Sequence, residues 1–454
     1  MTDWSHLVDL EKCTVSPRVF VDEEVYRDEQ ERVFGRCWLY LAHESQLPNP
    51  GDFVTHYMGE ESVLVCRTAS GKIRVFLNSC RHRGARMCRL DAGNAKAFTC
   101  PYHGWTYDTQ GRLVGVPQFK EAYYEELNRG DWGLIEVPRV ESFRGLLFAC
   151  FDENAQSLDA YLGDMKWYLD LIFNKTEGGM VVMPGLHRWN LGGNWKLAAE
   201  QFNGDNYHTG AAHESMLKIG LGPANGQFLG DRPWVRDFEA KLDNGHGWIN
   251  FKIDMAGGVP DPLAQHMERM QAAARQRLTP AQSELVGCVH VGTVFPNFSI
   301  LTFLGFLTIR VWHPRGPHNM EVYSWGMIEQ EAPPEVVEIA RKMQVLTFSP
   351  SGIFEQDDGE MWGNSVKAMR GLHRRNFPLN YQMGAGHGRT DPDKPGLIHP
   401  PQRKSASLAS TNSGRLSWVK HDERGRPHPT PSRVRGTALS RGLAAGQRSA
   451  RRVA

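Results

Sequence analysis

Read as hydrophobic and polar positions, the chain changes texture twice. Residues 20–45 include DEEVYRDEQERVFGRCWLYLA, in which apolar positions at helical spacing give way to a continuous apolar run. That predicts a helix leading into a strand. From about 50 to 155 the apolar residues fall in short runs, ESVLVCRT, IRVFLNSC, GLIEVPRV and RGLLFACFD, bounded by Gly, Asn and Asp. Runs of that length and composition predict antiparallel strands. After 160 helical segments appear. TPAQSEL is one, with Thr279 as cap, Pro280 in the first turn and Gln282 completing a capping box. PPEVVEIARKMQVL is another, and the strand-like HVGTVFPNFSILTFLG and FLTIRVWHP lie between them. No internal repeat is visible. The pattern predicts an α+β chain: a small all-β domain, then a larger domain of helices and antiparallel sheet.

Composition narrows the class. The 454 residues suffice for two or three domains, and 41% hydrophobic with 23% charged residues is ordinary for a soluble globular protein. No apolar run approaches the roughly 20 residues a membrane helix needs. The opening MTDWSHLVDLEKC lacks the basic-then-apolar order of a secretory signal. Eight scattered cysteines make no disulfide framework, so the expected compartment is the reducing cytoplasm. A net charge of +1 gives no indication of nucleic acid, but it hides an asymmetry. Residues 401–454 hold 12 Lys and Arg against 2 Asp and Glu, which leaves 40 and 49 for residues 1–400. The body is therefore near −9 and the tail near +10. Rich in Arg, Ser, Gly and Pro and without apolar periodicity, the tail is expected to be disordered.

The chemistry starts at CRHRGARMCRLDAGNAKAFTCPYHGW, residues 80–105. Cys80 and His82 share one predicted tight loop, Cys100 and His103 a second, stiffened by Pro101 and turned by Gly104. A Cys2His2 set can hold zinc, but structural zinc sites usually pair like ligands within a loop. Here each loop mixes the two. A Rieske [2Fe–2S] centre needs that mixture, since one iron takes both thiolates and the other both imidazoles, which raises the potential. Cys88 falls outside the pattern and reads as a small core residue. Downstream, NWKLAAEQFNGDNYHTGAAHESM (194–216) begins as a helix and ends in a polar, Gly-bearing segment with Asp205, His208 and His213. Asp205 and His208 are expected on one helix face. His208 and His213 would diverge by about 140° on a regular helix. Both can reach one ion only if the helix bulges or ends near Gly210. His213-Glu214 is not a zinc-protease motif, because the second His is absent. SPSGIFEQDDGEMW (349–362) offers carboxylates at the start of a long helix.

C-x-H, seventeen residues, C-x2-H is the Rieske signature, and D-x2-H-x4-H follows it. On these motifs the chain, over about 1–400, resembles the α (large, catalytic) subunits of aromatic-ring-hydroxylating dioxygenases. The resemblance implies a helical segment (1–37) packing on the catalytic domain, a Rieske domain (38–158), a catalytic mononuclear-iron domain (159–400) and the tail (401–454). It implies a [2Fe–2S] cluster on Cys80, His82, Cys100 and His103, and Fe(II) on His208, His213 and a carboxylate, Asp358, with Asp357 the alternative. Two His and one carboxylate leave positions open for dioxygen. Asp205 is then expected to link a Rieske His to an iron-bound His across a subunit boundary. Gln201, Phe202, Asn297, Phe348 and Phe354 are expected to line the substrate cavity, and their lack of Lys or Arg favours an uncharged arene.

No Gly-rich nucleotide fingerprint follows a strand; GLGPANG and GAGHGR lie in loops without the helix. Electrons from NAD(P)H are therefore expected through a separate reductase or ferredoxin, for which Arg81, Arg83, Arg86 and Arg89 offer a docking patch. The expected reaction is addition of O2 to an arene to give a cis-dihydrodiol, in an α3β3 assembly with a small β subunit or an α3 homotrimer. Neither nucleic acid nor membrane is expected as a partner. Alternatives are a Rieske monooxygenase or demethylase, and a Rieske electron carrier without oxygenase activity. The family usually continues past GLIHPP with an ordered aromatic-containing segment. Here the Arg-rich tail reads either as a shifted frame or fusion, or as a genuine basic tail.

Overall fold

The computed structural model describes residues 2–215, 238–251, 259–386 and 388–399. The basic tail 401–454 and the GLGPANG loop lie outside the described residues.

The helix expected near the N-terminus is α1 (Glu23–Glu29), capped by Asp22, whose side chain accepts the Glu24 N–H. Its first turn carries Glu23 and Glu24, the charge that suits a helix N-terminus. The preceding residues Val8–Asp9 and Thr14–Val15 pair as short strands, and the second also pairs with Leu379–Asn380. Val15 and Phe20 then share a small core with Val366, Met369 and Tyr381. The N-terminal segment is thus stitched to the far end of the chain.

Ten short strands follow: β1 (Leu39–His43), β2 (Asp52–Met58), β3 (Glu61–Arg67), β4 (Ile73–Leu77), β5 (Ala92–Asn94), β6 (Ala97–Thr99), β7 (Thr106–Asp108), β8 (Leu113–Gly115), β9 (Arg139–Phe143) and β10 (Leu146–Cys150). They form three antiparallel sheets, in the orders β9-β10-β1, β4-β3-β2-β5 and β8-β7-β6. Two of these sheets close on an aromatic core of their own, with Phe53, Phe76, Phe98, Trp105 and Tyr107 among its buried members. Cys80 and Cys100 belong to that core, so the loops that bear them are anchored from beneath.

Beyond residue 160 the chain builds one large antiparallel sheet. Its strands are β11 (Met180–Val182), β12 (His187–Gly192), β13 (Phe238–Lys241), β14 (Gly247–Phe251), β15 (Val289–Val294), β16 (Phe298–Phe303), β17 (Phe306–Pro314), β18 (Asn319–Glu329), β19 (Arg389–Thr390) and β20 (Leu397–His399). The order is β11-β18-β17-β16-β15-β14-β13-β20-β19, with β12 also on β18. Every residue of β17 and all but the first of β18 are buried, which requires cover on both sheet faces. Helix α2 (Trp195–Gly204) packs across β14 to β17. A single turn, α3 (Thr209–Ala212), follows it, and then the 17-residue α4 (Asp261–Arg277), which the apolar pattern did not single out. Helix α5 (Pro334–Phe348) lies on β17, β18 and α4, and α6 (Glu355–Met369) on β12 and α3. The TPAQSEL segment forms only Pro280–Ser283, but with both halves of its capping box made. No helix of the described residues is long and apolar enough to cross a membrane.

Candidate metal centres

The two Cys/His loops have the same backbone. In the first, the Cys80 N–H donates to the Ala85 carbonyl (2.9 Å) and the Gly84 N–H to the Cys80 carbonyl (2.8 Å). In the second, the Cys100 N–H donates to Trp105 (2.8 Å) and the Gly104 N–H to Cys100 (3.0 Å). Gly84 and Gly104 hold φ of 72° and 73°, a left-handed conformation that favours glycine. Each loop so presents its thiol inward and its imidazole at the tip. The rings of His82 and His103 meet with centroids 4.5 Å apart. Cys80 and Cys100 are buried, and burial pushes the Cys80 thiol up despite the Tyr107 hydroxyl 3.4 Å from its sulfur. An anionic sulfur is costly there without a cation beside it. The His82 Nδ1 is buried without a partner among the described residues. Two thiols and two imidazoles facing one point, one nitrogen left bare, are a donor set that fits a [2Fe–2S] cluster. The ring of His82 stacks on Trp105 (5.0 Å, 10°), which keeps the imidazole from rotating. Of the four expected docking arginines, Arg83, Arg86 and Arg89 are exposed; half-buried Arg81 donates to the Gly133 carbonyl and lies over Trp132.

The second centre forms where α2 breaks. The helix ends at Gly204, and Asp205 caps it with φ −121° and ψ 86°. His208 opens α3 and His213 closes it. The break therefore lies at 205–208, ahead of Gly210, and Asp205 and His208 do not share a helix face as the spacing alone implied. The two polar residues compete for local bonds that end the helix. The His208 N–H donates to Asp205 Oδ1 (3.2 Å), and His208 Nδ1 bonds the Asp205 carbonyl (2.7 Å). His213 Nδ1 bonds Asp357 Oδ2 (3.2 Å). With both Nδ1 atoms so engaged, each imidazole keeps its proton there and leaves Nε2 bare. Both Nε2 atoms point at Asp358 Oδ1, at 3.5 Å from His208 and 3.4 Å from His213. One ligand atom from each of the three residues lies within 4.8 Å of the others. The separations of 3.4 and 3.5 Å suit donors sharing one ion at about 2.0–2.2 Å.

Asp358 Oδ1 is itself buried without a hydrogen bond among the described residues, a donor suited to a cation. Burial raises the Asp358 pKa, but His213, His208 and Gln201 outweigh it and hold the carboxyl below its ordinary value. Burial likewise lowers His208, and Asp205 and Asp358 bring it above its ordinary value. Asp357, the alternative ligand, instead accepts from His213 and from the Ser215 hydroxyl (3.3 Å). It orients the imidazole rather than meeting both Nε2 atoms, a role the sequence offered no means to separate from that of its neighbour.

A cavity of about 80 Å³ opens on these residues. Gln201, Phe202, Phe348 and Phe354 line it, with no Lys or Arg among the described lining residues. The Trp362 indole holds Gln201 in place (2.8 Å). Asn297 is not brought there. It is buried beside β17, donating its amide to the Trp312 carbonyl (3.1 Å) and accepting the Trp312 N–H (3.0 Å), and so ties the turn before β16. A larger cavity of about 300 Å³ lies beyond Val289 and Phe303, which line both.

Residues 37–142 match the Rieske [2Fe–2S] domain, and residues 158–405 match the catalytic domain of the ring-hydroxylating alpha subunits. The chain belongs to the ring-hydroxylating α subunits. It is 43% identical over 407 residues to the biphenyl 2,3-dioxygenase α subunit of Rhodococcus jostii (strain RHA1), covering 87% of each chain. It is 42% identical over 401 residues to the benzene 1,2-dioxygenase α subunit of Pseudomonas putida, covering 86% of this chain and 88% of the relative. A crystal structure of naphthalene 1,2-dioxygenase from Rhodococcus sp. bound to indole superposes with a TM-score of 0.80 at 39% identity, covering 90% of this chain and 94% of that one. A quaternary ammonium Rieske monooxygenase (TM-score 0.63, 17% identity) shares the fold alone. This ring-hydroxylating α subunit is thus the large oxygenase component of an aromatic-ring dioxygenase system, with a Rieske [2Fe–2S] cluster and non-haem iron, supplied with electrons by partner redox proteins. The reading as an electron carrier alone is excluded, since a full catalytic domain follows the cluster loops.

Proposed function

We propose that Cys80, His82, Cys100 and His103 hold the [2Fe–2S] cluster, that His208, His213 and Asp358 hold mononuclear Fe(II), and that the product is a cis-dihydrodiol of an uncharged arene. The single observation that carries this reading is the convergence of two bare Nε2 atoms and one unpartnered carboxylate oxygen at the wall of an apolar cavity. When bound, the cluster supplies single electrons and the iron binds dioxygen beside the arene. The protein's own part is placement. Asp205 and Asp357 keep both imidazoles in the tautomer that leaves Nε2 free. Phe202, Phe348 and Phe354 exclude water and offer ring faces to an aromatic substrate. With no cation in the described lining, a substrate carboxylate would enter unpaired, so neutral one- or two-ring arenes such as those oxidised by the relatives are favoured.

The reading extends to the domain limits 1–37, 38–158, 159–400 and 401–454, to a trimer of this chain with or without a small β subunit, and to the cytoplasm as its compartment. In a trimer, Asp205 would meet a Rieske His of a neighbouring copy, which accounts for a half-exposed carboxylate beside His208. The test is metal analysis of His213→Ala. The purified wild type is expected to be red-brown, with iron in excess of acid-labile sulfide by one per chain. The variant should lose that one iron, and all oxygenation, while keeping the Rieske spectrum. Bleaching of the cluster with retention of the extra iron would contradict the assignment.

A further inference from the structure

A second carboxylate is buried beside the iron site. Glu355 opens α6 one turn before Asp358, is 2% exposed, and meets the wholly buried Arg310 of β17 with Nη1 to Oε2 at 2.6 Å. The contact is bent out of hydrogen-bond geometry. Among the described residues, the three guanidinium nitrogens and both carboxylate oxygens make no hydrogen bond. Three rings also face the guanidinium: its carbon lies 5.1 Å from the centroid of Phe202, 5.0 Å from Phe348 and 5.7 Å from Trp312. Phe202 belongs to the end of α2 and Phe348 ends α5, and both line the cavity. One cation therefore touches the three segments that enclose the site: the end of α2, the end of α5 and the start of α6.

Such a pair is a poor source of stability. Two charges taken from water with imperfect hydrogen bonds give back little, and apolar residues of similar volume are often neutral or better in their place. Its effect must then lie in geometry. Phe354, next to Glu355, stacks on Phe348 (5.1 Å, 15°) and meets the His213 ring edge-on at 5.1 Å. The first turn of α6 thus carries Asp357, Asp358 and part of the cavity wall together.

We infer that Arg310 and Glu355 are positioning residues for the oxygenation site. The guanidinium on the sheet anchors the first turn of α6, so that Asp358 meets the Nε2 atoms of His208 and His213, and it backs the Phe202 and Phe348 rings that orient the arene. The inference rests on reading those three residues as the iron ligands. Misplacement of a reacting group by about 1 Å can cost about 100-fold in rate.

The test compares the full-length oxygenase with Arg310→Met/Glu355→Leu, in which both members become apolar and no charge is left unpaired, and with Glu355→Gln. Four quantities are measured: the Rieske spectrum, Fe(II) affinity of the mononuclear site, hydrogen peroxide released per O2 consumed, and product regiochemistry over a panel of arenes. The double variant should keep its Rieske spectrum, bind Fe(II) about 10–100-fold more weakly, release more peroxide and give more mixed products. A double variant with wild-type affinity, coupling and regiochemistry would overturn the inference, because the pair would then only fill space. Should the double variant lose its Rieske spectrum, Glu355→Gln decides: weakened Fe(II) binding with an intact cluster supports the anchor, and wild-type binding and coupling overturn it. Retention of the mononuclear iron by Asp358→Ala would instead overturn the ligand reading on which the anchor depends.

Discussion

Two aspartates, one three residues before His208 and one 144 residues after His213, do different work at the proposed iron site. Asp205 gives His208 Nδ1 its backbone carbonyl at 2.7 Å, while its carboxylate stands 3.7 Å from the same nitrogen. Asp205→Ala therefore leaves the tautomer of His208 in place. Both metal centres should stay loaded while turnover falls at least about 10-fold through loss of the outer carboxylate. Asp357 holds His213 Nδ1 by its side chain, at 3.2 Å. Asp357→Ala should weaken Fe(II) binding by about 10–100-fold and leave the cluster untouched. Iron content and single-turnover rates of the two variants separate these effects; equal iron loss in both would show that the side chain of Asp205, not its carbonyl, sets the ring. At this scale the sequence was unevenly legible. The Cys/His loops and the two histidines proposed as iron ligands were singled out from motif resemblance, and the fold brings each set together. The choice between Asp357 and Asp358 needed coordinates, since adjacent residues on one helix point about 100° apart and spacing does not say which way the helix is turned. Asn297, which bonds Trp312 and is absent from the cavity lining, could not be placed from sequence, because a polar residue beside a cavity-lining strand looks the same whether it faces substrate or braces a turn.

At the scale of elements, the strand texture of residues 50–155 and the helices at 334–348 and 355–369 follow directly from apolar periodicity and turn residues. The break in α2 was foreseen in kind but not in place, because local side-chain bonds of Asp205 and His208 end the helix earlier than Gly210 would. The paired loops show what such local chemistry supports. A methyl group on Gly104 would sit 2.9 Å from Pro117 Cγ, at a φ of 73°. Gly104→Ala should cost about 1–2 kcal/mol from backbone conformation alone. It should also speed cluster loss on mild heating, followed by the visible absorbance. An unchanged rate of bleaching would mean that the loop tolerates another conformation.

Over the whole molecule, the two halves meet through buried aromatic and imidazole rings. His56 of β2 lies against Tyr40, His313, Tyr323 and Trp325, with ring centroids 4.7 Å from His313 and 5.7 Å from Trp325. Burial holds His56 down to about 4 and His290 of β15 down to about 3, against an ordinary value of 6.5. The unfolded chain takes up these protons first on acidification. The stability that the neutral imidazoles contribute is whole above pH 6.5 and falls as pH drops toward the folded values. Each group accounts for about 1.4 kcal/mol per pH unit in that window. Denaturant unfolding between pH 7 and 5 should therefore show a smaller loss per pH unit for His56→Phe than for the parent, by about that amount, and equal slopes would assign the acid sensitivity elsewhere. This interface was invisible in the sequence, since it joins residues more than 250 positions apart. The basic tail, conspicuous in composition, lies outside the described residues.

The central claim is that His208, His213 and Asp358 hold the iron at which both atoms of dioxygen enter an arene. Mass analysis of product formed under ¹⁸O₂, with a reconstituted reductase and ferredoxin, tests it most directly. The account predicts a vicinal cis-diol carrying two ¹⁸O atoms from the wild type and no product from Asp358→Ala with its Rieske spectrum intact. A product with a single ¹⁸O atom, or oxygenation by the Asp358→Ala protein, would contradict it.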